Sequence, residues 1–373
     1  MKHYAFEKKI ALFIPTLGAG GAERTAVLLA NALADKHYDV TLCVADLSGE
    51  RSKLLSEVKC SVKIKNFETM RVLFSIPKLI NFMRYVDPDI IISSQTHANI
   101  AVSIASKLAN YQGKIILREV STPSINLKHK KGINAIFLKK IMKWSYQSCD
   151  IIIPVSYGVK KDLENYLKIK LKNAKVIYDP VITEEIFELA REPISHIWFD
   201  TDRKIPVIVA VGRLTEAKNY ELLITTFKKV LEKKDAHLMI LGEGEDRNKL
   251  EVLIKNLNLN NKVDLYGFDK NPYKYMANCD LYVMSSRWEG LPGALIQALA
   301  LKANIISTDC PSGPREILEN EANTKLVNKD ITSEDFSKEI IEMLGSISKN
   351  KSTSLKFLDF EKNKILSQYI EVI

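Results

Sequence analysis

The sequence predicts an α/β fold with two Rossmann-like domains, and three observations support that prediction. Short apolar runs alternate with amphipathic stretches of helical period along most of the 373 residues. The runs are apolar throughout, which is typical of parallel strands that helices cover on both faces. The alternation breaks near residues 190–204 and then restarts. We therefore predict an N-terminal domain over residues 1–190, a second domain over residues 200–350 and a last helix over residues 356–373.

The predicted elements follow in order along the two domains. In the first domain, apolar runs predict strands at residues 10–15, 40–45, 90–94, 114–118, 151–155 and 175–178. Helical periodicity is clearest at residues 22–35, 99–109 and 134–146. In the second domain, the pattern predicts strands at residues 206–212, 237–241, 263–266, 281–285 and 304–307, and helices at residues 220–233, 247–256 and 293–301. A polar stretch, residues 346–354, precedes a final helix at residues 357–372.

The composition of the chain indicates the cell compartment of the protein and its need for cofactors. No apolar run approaches the ~18 residues of a spanning helix, and residues 1–14 lack the apolar segment of a signal peptide. The five cysteines are scattered, without the spacing of a zinc site or of a disulfide framework. Asp87-Pro-Asp89 precedes its strand, at the wrong end of a sheet for a ligand. We expect a cytoplasmic protein that needs no metal or other cofactor.

The positive charge of the chain is concentrated in its first half. The net charge is +9, but residues 51–178 hold 23 Lys and Arg against 8 Asp and Glu. Residues 128–143 place lysines between apolar side chains ahead of Trp144. That segment is either a helix on the surface of an anionic membrane or a helix with its apolar side on the sheet and its lysines in water. Nucleic acid is not an expected partner, because no stacking aromatics or binding module accompany the charge.

A glycine-rich turn follows the first predicted strand and leads into the first helix. Its glycines would let a ligand approach the backbone, and free N–H groups at a helix start suit an anion. Glu23 stands where a dinucleotide fingerprint needs its third glycine, so a nicotinamide site is not predicted. Gly20 and Gly21 are therefore candidate binding residues, and a turn that serves only packing is the alternative.

Two further candidate sites follow strands of the second domain. Arg213 and Lys218 come after the first of these strands, where they would hold a diphosphate or remain solvated surface cations. Glu289 follows a later strand, and Gln297 comes eight residues on. Both can accept hydrogen bonds from sugar or ribose hydroxyls. The carboxyl ends of parallel strands meet at one sheet edge, so these loops would face the glycine-rich turn across a central cleft that binds a nucleotide sugar.

Several of these motifs together resemble glycosyltransferase family 4, whose members are retaining enzymes of the GT-B fold. The motifs that carry the resemblance are Gly20-Gly-Ala-Glu-Arg24, Gly212-Arg-Leu with Lys218, Leu241-Gly-Glu-Gly244, Glu289-Gly-Leu-Pro with Gln297-Ala-Leu-Ala, and Ser312-Gly-Pro-Arg-Glu316. The resemblance spans nearly the whole chain. It implies two Rossmann-like domains with parallel sheets that face a central cleft, and a last helix that returns to the first domain.

The resemblance also implies roles for individual residues. Arg213 and Lys218 would hold the donor diphosphate and stabilise the leaving nucleotide, and Glu289 would contact hydroxyls of the donor sugar. Gln297 stands where the family usually has a second glutamate for the ribose, so we expect altered affinity or nucleotide preference. The turn of Gly20 and Gly21 would face the donor phosphate and the acceptor. The loop after Glu289 would complete the donor site with Gly290, Leu291 and Pro292.

Two residues after strands of the first domain are further candidates for substrate contact. His97 would hydrogen-bond the donor sugar or the acceptor, and a loop histidine satisfied within the protein is the alternative. Many relatives carry a histidine after the next strand, where this chain has Arg118-Glu119, so Glu119 is a candidate substrate contact. Asp179 stands where the family often has asparagine.

The resemblance predicts a retaining hexosyl- or N-acetylhexosaminyl-transferase. It would move a sugar from a nucleoside diphosphate donor, UDP-linked, to a growing and lipid-linked bacterial surface glycan. Peripheral contact with the inner face of the anionic cytoplasmic membrane stays open. Three alternatives remain at this point: an enzyme of the same fold with a soluble acceptor, a catalytically silent nucleotide-sugar-binding protein, and a UDP-sugar epimerase.

Overall fold

The computed structural model describes residues 8–18, 20–128, 133–200, 202–346 and 355–373, which form two compact α/β units. Unit 1 comprises Met1–Pro180 and Asn363–Ile373, and unit 2 comprises Val181–Lys362. Parts of three predicted segments lie outside the described residues: the start of the N-terminal segment, Lys130 and Lys131 of the basic stretch, and most of the polar stretch at residues 346–354.

Unit 1 is built on a six-stranded parallel sheet of order β3-β2-β1-β4-β5-β6. Its strands are β1 Lys9–Ile14, β2 Asp39–Val44, β3 Lys63–Asn66, β4 Ile90–Ser94, β5 Lys114–Glu119 and β6 Ile151–Pro154. The helices of unit 1 are α1 Gly21–Asp35, α2 Ile76–Tyr85, α3 Thr96–Ala109, α4 Pro123–Asn126, α5 Ile133–Ser148, α6 Tyr157–Leu167 and, at the end of the chain, α14 Lys362–Ile370.

Alternate side chains of β1 enter two separate apolar layers. Ile10 and Leu12 join the core that α1 and α14 cover, and Ala11 and Phe13 join the core beneath α2, α3 and α5. In register, Leu12 lies opposite Leu42 of β2 and Ile92 of β4. Helices thus cover both faces of the sheet, as the wholly apolar strands predict.

Unit 2 repeats this plan with a second six-stranded parallel sheet, of order β12-β11-β10-β7-β8-β9. Its strands are β7 Val207–Val211, β8 His237–Leu241, β9 Val263–Gly267, β10 Leu281–Met284, β11 Ile305–Asp309 and β12 Thr324–Asn328. Its helices are α7 Glu184–Leu189, α8 Tyr220–Val230, α9 Arg247–Asn256, α10 Tyr273–Asn278, α11 Gly293–Ala300, α12 Pro314–Leu318 and α13 Ser333–Gly345.

Two sequence predictions of secondary structure are wrong, and two short strands were not predicted. Residues 175–178 form no strand, because Pro154 of the neighbouring β6 has no N–H to donate, which leaves a gap in the ladder between the bond from Lys175 to Ile152 and the bond from Ile177 to Pro154. The short strands β3 and β12 were not predicted, since neither is an uninterrupted apolar run. The final helix begins at Lys362 rather than at residue 357, because the carbonyl of Phe360 accepts from Val181 and Ile182 instead of continuing a helix.

Strand order locates the candidate sites. In unit 1 the order reverses between β1 and β4, and in unit 2 it reverses between β7 and β10. Ligands of open α/β sheets bind outside the carboxyl ends of the strands at such switch points. The loops after these four strands are therefore where a binding site is expected. Among the described helices, none is long and apolar enough to cross a membrane.

Candidate active site

The loops after β7 and β10 are joined at the switch point of unit 2. The hydroxyl of Ser285 donates to the backbone carbonyls of Lys218 and Asn219, at 2.9 and 3.2 Å. The backbone N–H of Arg287 donates to the carbonyl of Ala217 at 2.8 Å. These bonds hold the two loops in a fixed relation, so that side chains from both loops point into one site.

The centre of this site is an ion pair between Lys218 and Glu289. Lys218 Nζ lies 2.6 Å from Glu289 Oε1, and the side chains are only 21% and 12% exposed. The hydroxyl of Ser286 donates to the same carboxylate oxygen at 2.6 Å. The sequence assigned Lys218 to phosphate and Glu289 to sugar hydroxyls. It did not predict that the two side chains bind each other, or that Ser286 holds the carboxylate.

Arg213 stands in the same loop as Lys218 but is exposed and makes no ion pair with any described residue. Its loop packs tightly against the loop after β8. A Cβ on Gly242 would lie 2.0 Å from the Gly212 carbonyl oxygen, and one on Gly244 would lie 2.3 Å from that of Leu214. The motif Leu241-Gly-Glu-Gly244 therefore fixes the Arg213 loop through close backbone packing, and glycine is required at both positions.

The loop from Gly290 to Pro292 leads into α11. Gly290 and Leu291 are half-buried and Pro292 is buried, and the Pro292 carbonyl accepts from the first turn of the helix. Gly313, at φ +103°, packs against this loop, because a Cβ there would meet Pro292 Cδ at 2.3 Å. Gln297 lies one turn into α11, half-buried, and its side chain makes no hydrogen bond to the described residues. Substrate binding by these residues stays a prediction.

The switch point of unit 1 carries the glycine-rich turn and a carboxylate. Gly20 is the N-cap of α1 and Gly21 is its first residue, and a Cβ on Gly21 would meet no atom of the described residues within 4 Å. The Glu23 side chain folds back over the turn, so that a Cβ on Gly20 would lie 2.3 Å from its Oε2. Thr16 and Gln95 donate to Glu23 Oε1 at 3.5 and 3.4 Å. The turn expected to face a phosphate thus carries a negative charge of its own.

Gln95 has an unusual backbone. It follows β4 with φ +82° and ψ 142°, a backbone conformation that residues other than glycine rarely adopt. Such a conformation costs on the order of 1–3 kcal/mol. It is kept because the Gln95 N–H donates to the Arg118 carbonyl at 3.3 Å and the Gln95 carbonyl accepts from Asn99 at 2.9 Å. The sequence analysis assigned no binding role to Gln95 or to Glu23, although both lie in segments that follow strands at the switch point.

His97 and Glu119 differ sharply in exposure. His97 is exposed in the first turn of α3, rather than in a loop as the sequence predicted. Glu119 is fully buried, and its carboxylate accepts hydrogen bonds from Thr96, Ser121 and Tyr146. Burial raises the pKa of Glu119, although these hydroxyl donors oppose the shift. In this geometry Glu119 holds Thr96 and Ser121 in position, and contact with a substrate stays a prediction.

Arg118 and Asp179, both singled out against the family pattern, form a buried ion pair. Arg118 Nη2 lies 2.5 Å from Asp179 Oδ1, and the Arg118 side chain is fully buried. Its other terminal nitrogen donates to the hydroxyl of Ser94 at 2.8 Å, and the guanidinium lies 5.8 Å from the ring centre of Tyr369. Burial raises the pKa of Asp179, and Arg118 opposes that shift. The two opposite charges therefore offset each other within unit 1.

Comparison with protein families matches both units. The family model for Glycosyltransferase Family 4 matches residues 19–185, and the model for Glycosyl transferases group 1 matches residues 199–354. Together they span most of the chain and cover both switch points.

The curated relatives of the chain include two with at least 30% identity. The chain is 32% identical over 328 residues to a Campylobacter jejuni enzyme, N-acetylgalactosamine-N,N'-diacetylbacillosaminyl-diphospho-undecaprenol 4-alpha-N-acetylgalactosaminyltransferase, and the alignment covers 87% of each chain. It is 36% identical over 259 residues to an uncharacterised glycosyltransferase of Methanocaldococcus jannaschii, covering 68% of this chain and 63% of that relative.

Among solved structures, HepE of Anabaena in complex with UDP has the same fold. The TM-score is 0.79 at 16% identity, over 98% of this chain and 99% of that chain. The likeness confirms the fold class that the sequence predicted. The chain therefore belongs to glycosyltransferase family 4, and it is a glycosyltransferase of the GT-B fold.

Proposed function

We propose that the chain is a retaining glycosyltransferase that transfers a sugar from a UDP-linked donor to a lipid-linked bacterial surface glycan. The observation that carries the proposal is the Lys218–Glu289 pair beside the exposed Arg213 at the switch point of unit 2. Two cations at the carboxyl edge suit a diphosphate, and a carboxylate beside them suits sugar hydroxyls. The residues for leaving-group stabilisation and for sugar binding thus meet in one place.

In the proposed reaction, the bond between the anomeric carbon and the diphosphate oxygen breaks while the acceptor oxygen bonds the same face of that carbon. The acceptor proton passes to the departing phosphate oxygen. Negative charge grows on the diphosphate as it leaves, and Arg213 and Lys218 stabilise it. Glu289, held by Ser286, binds hydroxyls of the donor sugar and keeps Lys218 in place before the nucleotide arrives.

The identities of donor and acceptor are drawn from relatives. HepE is described in complex with UDP, which supports a uridine nucleotide. The Campylobacter enzyme is named as an α-N-acetylgalactosaminyltransferase acting on an undecaprenol-linked saccharide, which supports an N-acetylhexosamine donor, retention at the anomeric carbon and a lipid-linked acceptor. We adopt UDP-N-acetylgalactosamine as the donor to test first.

A lipid-linked acceptor agrees with the surface of α5. Met142 and Tyr146 of this helix are buried in the core of unit 1, whereas Ile136 and Phe137 are 60% and 63% exposed. The exposed Lys140 lies beside them. Apolar side chains next to a cation suit the boundary of an anionic membrane. We propose that α5 makes a peripheral contact with the inner face of the cytoplasmic membrane.

The proposal is tested with a panel of UDP-sugars and saccharides linked to prenyl diphosphate, with UDP release and product mass as readouts. Transfer to a prenyl-linked acceptor is the expected result. Turnover only with free saccharides supports a soluble acceptor instead. Interconversion of two UDP-sugars without an acceptor supports an epimerase, and UDP binding without any turnover supports a silent binding protein.

A further inference from the structure

A carboxylate at the switch point of unit 1 is weakly bonded within the protein. Glu23 is half-buried and makes no ion pair with a described residue. Hydrogen bonds to a charged carboxylate are ordinarily shorter than about 3 Å. Its two described bonds, from Thr16 and Gln95, are 3.5 and 3.4 Å and both go to Oε1. No described group donates to Oε2. The carboxylate therefore keeps capacity for a further donor.

The groups around this carboxylate come from the segments that follow two neighbouring strands. Thr16 lies in the turn after β1, Glu23 lies in the first turn of α1, and Gln95 follows β4 in its strained backbone conformation. Strand order makes the space between these two segments the ligand-binding edge of unit 1. A carboxylate, an amide and a hydroxyl that converge there can both accept and donate hydrogen bonds.

The negative charge of Glu23 determines which class of ligand can bind beside it. A phosphate next to the uncompensated Glu23 would be repelled, whereas a neutral hydroxyl donates to a carboxylate and accepts from an amide. We propose that Glu23, Gln95 and Thr16 form the subsite that binds a hydroxyl-bearing sugar of the acceptor, with Glu23 Oε2 accepting from a sugar hydroxyl. This subsite rests on the proposed function. It assigns the Glu23 side of the turn to the acceptor rather than to the donor phosphate.

The test compares Glu23→Gln and Gln95→Gly with the wild type, and uses Glu371→Gln as a control. Glu371 is an exposed carboxylate of unit 1 that pairs with Lys175. The donor is UDP-N-acetylgalactosamine and the acceptor probe is p-nitrophenyl α-N-acetylgalactosaminide. We expect both variants to raise the KM for the glycoside about tenfold, the effect of one lost charge-assisted hydrogen bond, with the Kd for UDP within about twofold of wild type. The control variant keeps both constants.

The outcomes separate this subsite from the proposed function. If Glu23→Gln tightens UDP binding and leaves the KM for the glycoside unchanged, then Glu23 faces the donor phosphate and the subsite is refuted. A wild-type protein that binds UDP but transfers nothing to the glycoside also refutes the subsite alone. A wild-type protein that binds no UDP overturns the proposed function and the subsite with it. Thermal denaturation of each variant verifies that it is folded.

Discussion

The ion pair between Lys218 and Glu289 predicts opposite effects of two substitutions on UDP binding. Lys218 Nζ lies 2.6 Å from the carboxylate of Glu289, so a diphosphate that binds Lys218 competes with Glu289 for the ammonium. Glu289→Gln removes the competing charge and keeps the shape of the side chain. Lys218→Met removes the ammonium and keeps its aliphatic stem. We expect the first variant to bind UDP more tightly and the second to bind it more weakly.

The magnitude follows from the exposure of the pair. Fully exposed ion pairs contribute about 0.2–1 kcal/mol, and hydrogen bonds to charged groups contribute about 1.5–3 kcal/mol. With side chains 21% and 12% exposed, the pair lies between these limits, and we assign it about 1 kcal/mol. Freeing Lys218 should then lower the Kd for UDP about fivefold. Losing Lys218 removes leaving-group stabilisation, with an expected fall in kcat of about 10²–10³-fold.

Titration calorimetry with UDP measures the Kd, and UDP release from the donor measures kcat. Glu334→Gln is the control, because Lys229 and Glu334 form an exposed pair at a similar 2.8 Å on another surface of unit 2. We expect the control to keep the wild-type Kd. Weaker or unchanged UDP binding by Glu289→Gln would refute the argument, as would a Lys218→Met variant that keeps the wild-type kcat.

Three further predictions concern stability and membrane contact. Gln95→Gly should raise Tm by about 2–4 °C, because the relief of backbone strain exceeds the added entropy cost of glycine by about 1 kcal/mol. An unchanged or lower Tm in scanning calorimetry would contradict the claim that the Gln95 backbone is strained. Asp179→Asn should lower the free energy of unfolding by about 3–5 kcal/mol, since it leaves the buried Arg118 charge without a charged partner. Urea unfolding measures this change, and a decrease of less than about 1 kcal/mol would show that the ion pair is not needed for stability. Phe137→Ser combined with Lys140→Glu removes an exposed apolar side chain and a cation from α5. This double variant should no longer float with anionic vesicles, while its transfer to the p-nitrophenyl glycoside stays unchanged. Undiminished flotation would exclude α5 as the membrane contact.

The fold was largely predictable because buried parallel strands carry an unambiguous pattern. β4 and β8 were predicted to the residue, since consecutive apolar residues, 90–92 and 238–241, mark the greater part of each strand. The short edge strand β3 was missed, because three of its four side chains are exposed and no core selects apolar residues there. The wrong strand at residues 175–178 has an apolar pattern but lacks the donor that Pro154 would have to supply.

The candidate site was predictable as a set of loops but not as a set of contacts. Arg213, Lys218 and Glu289 were found from their places after strands and from the family pattern. The pairing of Lys218 with Glu289 depends on strand order, which brings the loops after β7 and β10 together across 71 positions of sequence. The pairing of Arg118 with Asp179 likewise needs the fold to bring two distant residues together. Neither pairing can be predicted from sequence spacing alone.

The central claim is that the chain transfers a sugar from a UDP donor with retention of anomeric configuration. Proton NMR of the product formed from UDP-α-N-acetylgalactosamine tests this most directly, because the anomeric coupling distinguishes an α from a β linkage. Retention predicts an α-linked product and release of one UDP for each sugar transferred. A β-linked product would contradict retention, and the absence of turnover with every UDP-sugar and acceptor tried would contradict the assigned activity.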